Sequence, residues 1–376
     1  MCSLLSKISL FACIGATAFM ASTSVFAAYD KNYIGEMETY TAVYEDTLVH
    51  LARREGLGFV EVRAANPELD PWIPGKGTKV ILPKRHLLPD ASREGIVINL
   101  PEMRVFAFLN GDDAPYTYPI GIGREGLATP LGTTSIIRKK EGPTWTPTPR
   151  MHKENPDLPR VVQAGPDNPL GTHALYFGWP TYAMHGTNKP YGIGRRVSSG
   201  CIRMYPEDVI KFFGQVPVGT KVNVVNQPIK VAWIGNELFL EAHPDMEQAI
   251  KMEISGEVEN QSFTEADMDM IVDRAGRYAE FLNWPRIRTA LRERKGYPIR
   301  IARYFDDAQS AVNDEEDDSA VMDAEAVEAK PIIAAELVVK KPERSPEKTA
   351  KKDAIDIIDA PRGGDVEEEK DIFLNQ

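Results

Sequence analysis

Cysteine is scarce in this sequence: three residues among 376. Two of them, Cys2 and Cys13, fall in the opening stretch MCSLLSKISLFACIGATAFMASTSVFAAYDK. There a single basic residue, Lys7, precedes an apolar run from Ile8 to Met20, and small and polar residues follow as far as Val25-Phe26-Ala27. This is the layout of a secretory signal peptide cut after Ala27. The run is short for a permanent membrane span, which needs ~20 apolar residues, and no later stretch reaches that length. The expectation is an exported, periplasmic protein with residues 1–27 removed. Cys201 is then the one thiol left, which excludes an internal disulfide in a compartment where paired cysteines are common. An unpaired thiol there is a linker between chains, a buried inert side chain or a reactive group.

Positive charge is also in short supply. Lys and Arg number 44 against 55 Asp and Glu, a net charge of −11, which excludes a nucleic-acid partner of the usual basic kind. Much of the acid lies beyond Asp306, in DDAQSAVNDEEDDSAVMDAEAVEAK. Charge blocks with so few aromatics predict a disordered charged tail over 305–376. Paired Cys or His spacings of the metal-binding kind are missing, so no metal and no organic cofactor are expected.

What is present divides into three ordered regions. Residues 92–226 carry short alternating strands between Gly/Pro turns: GIVINL (95–100), RVFAFL (104–109), TYPIGI (117–122), TTSIIR (133–138), ALYF (174–177) and TYAMH (181–185). That pattern predicts a mainly β, antiparallel domain. A helix is expected over 206–213, with Pro206 in its first turn and Gly214 past its end. Residues 227–304 open with the strand-like KVAWIG and LFLEAH, then turn helical behind a capping box at Thr264 and Asp267. They are expected to form an α/β extension with a packing role.

Residues 38–84 read as strand, helix, helix, strand. Asp46-Thr47 is an N-cap signal before Leu48 and Leu51, and Asn66-Pro67 and Pro74-Gly75 are turns. This βααβ layout is similar to the LysM module, through Tyr40, Val43, Asp46, Thr47, Leu48, Ala52, Asn66, Pro67, Gly75, Val80, Ile81 and Pro83; Glu45 departs from the glycine usual there. The resemblance implies binding of N-acetylglucosamine-containing glycan strands such as those of peptidoglycan. The contacts would come from Asp46, Thr47 and Leu48 and from the stretch Asn66 to Leu69. Asp46 and Asn66 are equally readable as a cap and a turn former.

The remaining thiol lies in TYAMHGTNKPYGIGRRVSSGCIRMYPEDV, residues 181–209. Fifteen residues, 186–200, separate His185 from Cys201, and a Gly/Pro-rich loop of that size can bring imidazole and thiol together. Thiolate is the nucleophile, whereas a free thiol has a pKa of about 8.5, so a neighbouring base is what the chemistry needs. Gly200 allows an unusual backbone angle, and its N–H and that of Cys201 are candidates for an oxyanion hole. Histidine before cysteine is the reverse of the papain order.

The segment resembles the active-site signature of the L,D-transpeptidase (YkuD-domain) family: His185-Gly186, then Ser198-Ser199-Gly200-Cys201-Ile202-Arg203. Ser199 stands where that family more often has histidine. GIVINLPEMRVFAF, the 118–132 stretch, PTWTP (143–147) and AGPDNPLGTHAL (164–175) fit as well. The resemblance implies a β-sandwich or barrel-like catalytic domain acting on peptidoglycan stem peptides. Cys201 would attack the carbonyl of the third stem residue and release D-alanine. His185 would take the thiol proton, steered by the Gly186 carbonyl. The acyl group would pass to a stem-peptide amine, to the lysine of an outer-membrane lipoprotein or to water; a non-catalytic wall-binding scaffold is the reading from another class. Arg203 would either hold a stem-peptide carboxylate or pin the loop through backbone carbonyls. Ser199, Thr187 and Asn188 are expected to shape the substrate pocket, Ser198 to bond locally, and Arg195 and Arg196 to be solvated. Trp145 and Tyr182 are either cleft walls or core.

Overall fold

The computed structural model describes residues 29–304, apart from positions 110 and 112 and residues 255–258. The expected signal peptide and charged tail lie outside these residues. The chain enters through β1 (Tyr33–Ile34), forms β2 (Glu38–Thr41), α1 (Leu48–Arg54), α2 (Phe59–Ala65) and β3 (Lys79–Leu82), and leaves through β4 (His86–Leu87). β1 pairs with β4, and β2 with β3, both antiparallel. Thr47 caps α1 by accepting from the His50 N–H at 3.1 Å. Asn66 ends α2, its side chain donating to the carbonyls of Val62 and Ile81 and accepting from the Ile81 N–H. Leu48, Leu51, Val62 and Val80 form the small core of this unit.

α2 has no solvated face, for all seven of its residues are buried. Val62 points into the small core, while Phe59, Val60 and Ala64 belong to the main core with Ile96, Val209 and Met252. Its charged residues are absorbed by specific partners. Glu61 accepts from the Gly58 N–H at 2.8 Å and from Arg104 at 2.7 and 2.9 Å. The Arg63 guanidinium donates to the carbonyls of Asn66, Pro67 and Leu69. A helix buried all round is a core element, not a face presented to solvent.

The central region comprises β5 (Gly95–Asn99), β6 (Arg104–Phe108), β7 (Tyr116–Pro119), β8 (Ile122–Gly123), β9 (Gly132–Glu141), α3 (Pro149–Glu154), β10 (His173–Phe177), β11 (Ala183–His185), β12 (Arg196–Ser198), β13 (Ile202–Arg203), α4 (Pro206–Gln215) and β14 (Lys221–Val225). Eight strands form one sheet in the order β13-β11-β10-β9-β14-β5-β6-β7, and β8 pairs with β12. The sheet's ends meet: Arg203 in β13 exchanges two backbone hydrogen bonds, 2.8 and 2.9 Å, with Gly121, two residues past β7. The mainly β expectation holds, but the sheet is mixed: β14 runs parallel to β5, β13 to β11 and β12 to β8. β5 is buried throughout, as its continuous apolar run and parallel neighbour require. α4 continues through Gly214 to Gln215, because Gly214 does not take the left-handed conformation with which a glycine ends a helix.

The last region is a three-stranded antiparallel sheet, β15 (Ile229–Ile234), β16 (Glu237–Ala242) and β17 (Ile299–Arg303), with α5 (Met246–Ile254), α6 (Glu265–Ala275) and α7 (Trp284–Glu293). Its architecture is therefore α+β rather than alternating α/β. Thr264 and Asp267 form the capping box that opens α6. α5 leaves this unit and inserts Ala249 and Met252 into the main core beside α2.

Candidate active site

β11 and β13 lie side by side, Met184 opposite Ile202 and His185 opposite Arg203. Side chains alternate between faces along a strand. Cys201, two residues before Arg203, therefore projects from the same face as His185 and Arg203. Thus the strand pairing, more than the fifteen-residue loop, brings the imidazole and the thiol to one surface. His185 Nδ1 is 2.6 Å from the Gly186 carbonyl oxygen. A carbonyl only accepts, so Nδ1 carries the proton and Nε2 keeps its lone pair.

Cys201 is half-buried, and its Sγ donates to the Thr181 carbonyl at 3.4 Å. Burial pushes the thiol pKa up, with the Ala183 backbone and the Arg203 charge pulling the other way. Burial and then Arg203 bring His185 down to about 4, against the opposing effect of Gly186. At neutral pH both groups rest uncharged, so the thiolate is not stored in advance. It has to form as the nucleophile attacks, with Nε2 receiving the proton.

The turn before Cys201 is tightly specified. Ser198 Oγ donates to the Cys201 carbonyl at 2.5 Å and accepts from the Gly200 N–H at 3.1 Å. That N–H, expected to face an oxyanion, is thus already engaged by Ser198. Thr129 Oγ1 donates to the Gly200 carbonyl at 2.9 Å and accepts from the Gly123 N–H, fastening the turn to β8. Gly200 has φ +103°, and a Cβ there would lie 2.9 Å from the Tyr182 ring. Gly200→Ala is expected to cost about 1–3 kcal/mol of stability, read as a lower denaturation midpoint.

Arg203 is the unusual charge here. Burial lowers its pKa, and its Nε has no hydrogen-bond partner. The loop-pinning alternative required bonds from its guanidinium to backbone carbonyls, and none is seen among the described residues. Lys189 is also depressed, by burial and then by Arg203, so a second cation lies near Arg203. Thr187 is buried and accepts from the Lys189 N–H at 2.9 Å, whereas Asn188 is exposed and donates to the Asp167 carbonyl. Ser199 is half-buried. Tyr182 is packed under Gly200, and half-buried Trp145 pairs with Val162.

Three contributors are not singled out by the sequence, though two fall within the 118–132 and 164–175 stretches that carry the resemblance: Thr129, Thr181 and Asn168. Thr181 holds φ +70° and presents its carbonyl to Cys201. Asn168, wholly buried, donates to the carbonyls of Pro143, Val162 and Gln163 and organises the loop ahead of β10.

A YkuD L,D-transpeptidase catalytic domain model matches residues 93–224. YbiS of Escherichia coli K12, described as a probable L,D-transpeptidase, is 42% identical over 234 residues, 59% of this chain and 76% of that protein. ErfK/SrfK of the same strain, described likewise, is 35% identical over 308 residues, 77% of this chain and 96% of its own length. The chain belongs to the L,D-transpeptidase family. The ErfK/SrfK match is far longer than the 93–224 stretch, so regions flanking the catalytic domain of this L,D-transpeptidase are shared as well.

Two expectations for the transpeptidase are corrected by burial. Arg195 and Arg196 are not solvated. Arg195 is 6% exposed with its guanidinium 3.9 Å from the Phe59 ring centroid. Arg196 is half-buried, its pKa lowered by burial against the opposing charges of Glu253 and Asp245. In the βααβ unit, the side chains of Leu48 and Asn66 are unavailable to a sugar: Leu48 is core, and the amide of Asn66 is bonded at both ends. Asp46 accepts from the Val43 N–H and pairs with Arg54, Thr47 is the α1 cap, and Leu69 packs against the small core. The nearby exposed apolar side chains are Val43, Tyr44, 83% exposed, and Ile73, 74% exposed.

Proposed function

We propose that this L,D-transpeptidase works in the periplasm on peptidoglycan tetrapeptide stems, through a thioester on Cys201. The observation that carries the reading is the β11–β13 register, which sets Cys201 and His185 on one face while Gly186 leaves Nε2 free of the tautomeric proton. As the substrate docks, Nε2 takes the Sγ proton and sulfur attacks the carbonyl carbon of the third stem residue. The tetrahedral intermediate collapses, the C–N bond to D-alanine breaks, and the leaving amine takes the proton back from His185. An incoming amine then gives its proton to His185 and displaces the thiol. Because Gly200 N–H is engaged by Ser198, we assign the oxyanion to the Cys201 N–H, with preorganised donors of this kind worth about 3 kcal/mol each. Arg203, half-buried with its Nε buried and unsatisfied, is assigned the carboxylate of the donor stem.

The 38–84 unit is assigned to the glycan strand of the same polymer. The contacts come from loop backbone around 44–48 and 66–73, with Tyr44 as an aromatic platform, rather than from Leu48 or Asn66. The test is mass spectrometry of purified tetrapeptide muropeptides incubated with the chain lacking residues 1–27, before and after alkylation of Cys201 by iodoacetamide. Dimers that have lost one alanine, absent after alkylation, are the expected result for a stem-peptide acceptor. Tripeptide alone means that water, or a lipoprotein lysine missing from the assay, is the acceptor. Unaltered muropeptides would overturn the enzymatic reading in favour of a wall-binding scaffold.

A further inference from the structure

The loop between His185 and Cys201 is gripped from outside the catalytic sheet. The N–H groups of Phe59 and Val60, in the first turn of α2, donate to the carbonyls of Ile193 and Gly194 at 3.4 and 3.2 Å. The backbones of Gly58 and Gly194 cross so closely that a Cβ on Gly58 would lie 2.9 Å from the Gly194 Cα. Beside this crossing Arg195 covers the Phe59 ring, and the Tyr205 hydroxyl donates to the Leu57 carbonyl at 3.2 Å. α5 presents half-buried Glu253 towards Arg195 and Arg196. The gripped segment starts eight residues before the nucleophile and runs directly into β12, with Ser198 at its end, and the Gly200 turn.

We infer that the first turn of α2 is a positioning element of the active site: Gly58, Phe59 and Val60 fix residues 193–195, and through them the placement of Cys201 relative to His185. The N-terminal unit thereby supports the chemistry as well as any sugar it holds. The reasoning is geometric. β12 has only the two-residue β8 as its sheet partner, and its N-terminal end is held by two sets of backbone bonds. From the catalytic region come Gly194 N–H to the Ile120 carbonyl and Ile122 N–H to the Arg195 carbonyl; from α2 come the Phe59 and Val60 N–H groups. β12 and the turn after it take their position from both. Thr129 fixes the far end of the turn, and α2 shares in fixing the near end. A nucleophile displaced by a fraction of an ångström from its base loses rate steeply, by up to ~10²-fold for 1 Å.

Gly58 has an ordinary extended backbone, φ −85°, so alanine there is unstrained in itself and acts by pushing on Gly194. With the whole chain lacking residues 1–27, Gly58→Ala is expected to lower the rate of Cys201 alkylation by iodoacetamide about tenfold, or to shift its pH profile. Tetrapeptide turnover should fall in kcat, with KM nearly unchanged. A role limited to stability would lower the melting temperature and leave both readouts of the folded protein unmoved. That result would overturn the inference. Phe59→Leu, which keeps the N–H and removes the ring under Arg195, supplies the same test should Gly58→Ala fail to fold. The turnover arm rests on the proposed function, while the alkylation arm does not. Wild-type protein inert towards tetrapeptide would sink the reaction alone, and an unchanged alkylation profile in folded variants would sink the positioning role alone.

Discussion

His185→Asn is expected to lower kcat/KM for tetrapeptide stems by about 10³-fold, roughly 4 kcal/mol of transition-state stabilisation. Asparagine is chosen because its side-chain N–H can still donate to the Gly186 carbonyl, now 2.6 Å from Nδ1, while no basic nitrogen remains. The loss follows from the resting protonation state. With His185 at about 4 and the thiol above its ordinary range, the thiolate exists only as the proton is being passed to Nε2. The pH profile makes this separable from a folding defect. In the wild type, kcat/KM should fall below a limb near pH 4, where the imidazole becomes protonated and ceases to be a base. The variant should lack that limb and rise about tenfold per pH unit towards the alkaline side, as hydroxide takes over thiol ionisation. Cys201→Ala sets the zero of the assay. A His185→Asn protein within threefold of wild type would show that the imidazole is not the base.

Lys230→Met is expected to destabilise the fold by about 3–5 kcal/mol, the cost of breaking one partner out of a buried ionic network. Lys230 Nζ donates to Glu102 at 2.9 Å, to Glu241 at 2.8 Å and to the Leu87 carbonyl at 2.5 Å, with all three side chains almost wholly buried. Glu241 also accepts from the Leu87 N–H and lies 2.7 Å from His243, while Glu102 accepts from Asn99. The network joins β4, the turn after β5, and the β15–β16 hairpin. Burial alone would raise both carboxyl pKa values; the adjacent ammonium overrides it and holds them below the usual range. In the wild type, therefore, these groups contribute stability above about pH 4.5 that is lost as pH falls. Without the ammonium, burial prevails and the sign reverses. The variant should be most stable when the carboxyls are protonated and weaken as pH rises, which melting temperatures at pH 5 and pH 8 will register. Adding Glu241→Gln to Lys230→Met should restore part of the loss. A melting temperature within 2 °C of wild type at both pH values would refute this account.

Much of the catalytic region was legible because its information is local. β5 reads as a strand from GIVIN alone, and α4 begins at Pro206, as its first-turn proline implies. The histidine and cysteine stood out through their types and order. What stayed hidden depends on distant partners. Glu61, Arg63, Arg195 and Arg196 look like solvated charge until Arg104, the 66–69 carbonyls, Phe59 and Glu253 are brought beside them. The parallel pairing of β5 with β14 joins segments more than a hundred residues apart, and no alternation pattern specifies it. Thr129, Thr181 and Asn168 act through one hydroxyl, one carbonyl and one amide, groups whose roles exist only after the chain has folded. The oxyanion assignment shifted for the same reason, since the bond from Gly200 to Ser198 is a property of the closed turn.

The all-round burial of α2 bears on where this chain can be cut. Phe59, Val60 and Ala64 share one core with Ile96 and with Met252, so a boundary drawn between 84 and 92, or after 226, passes through a single folded body. A fragment of 92–226 would expose the apolar seat of two helices, α2 and α5, to water.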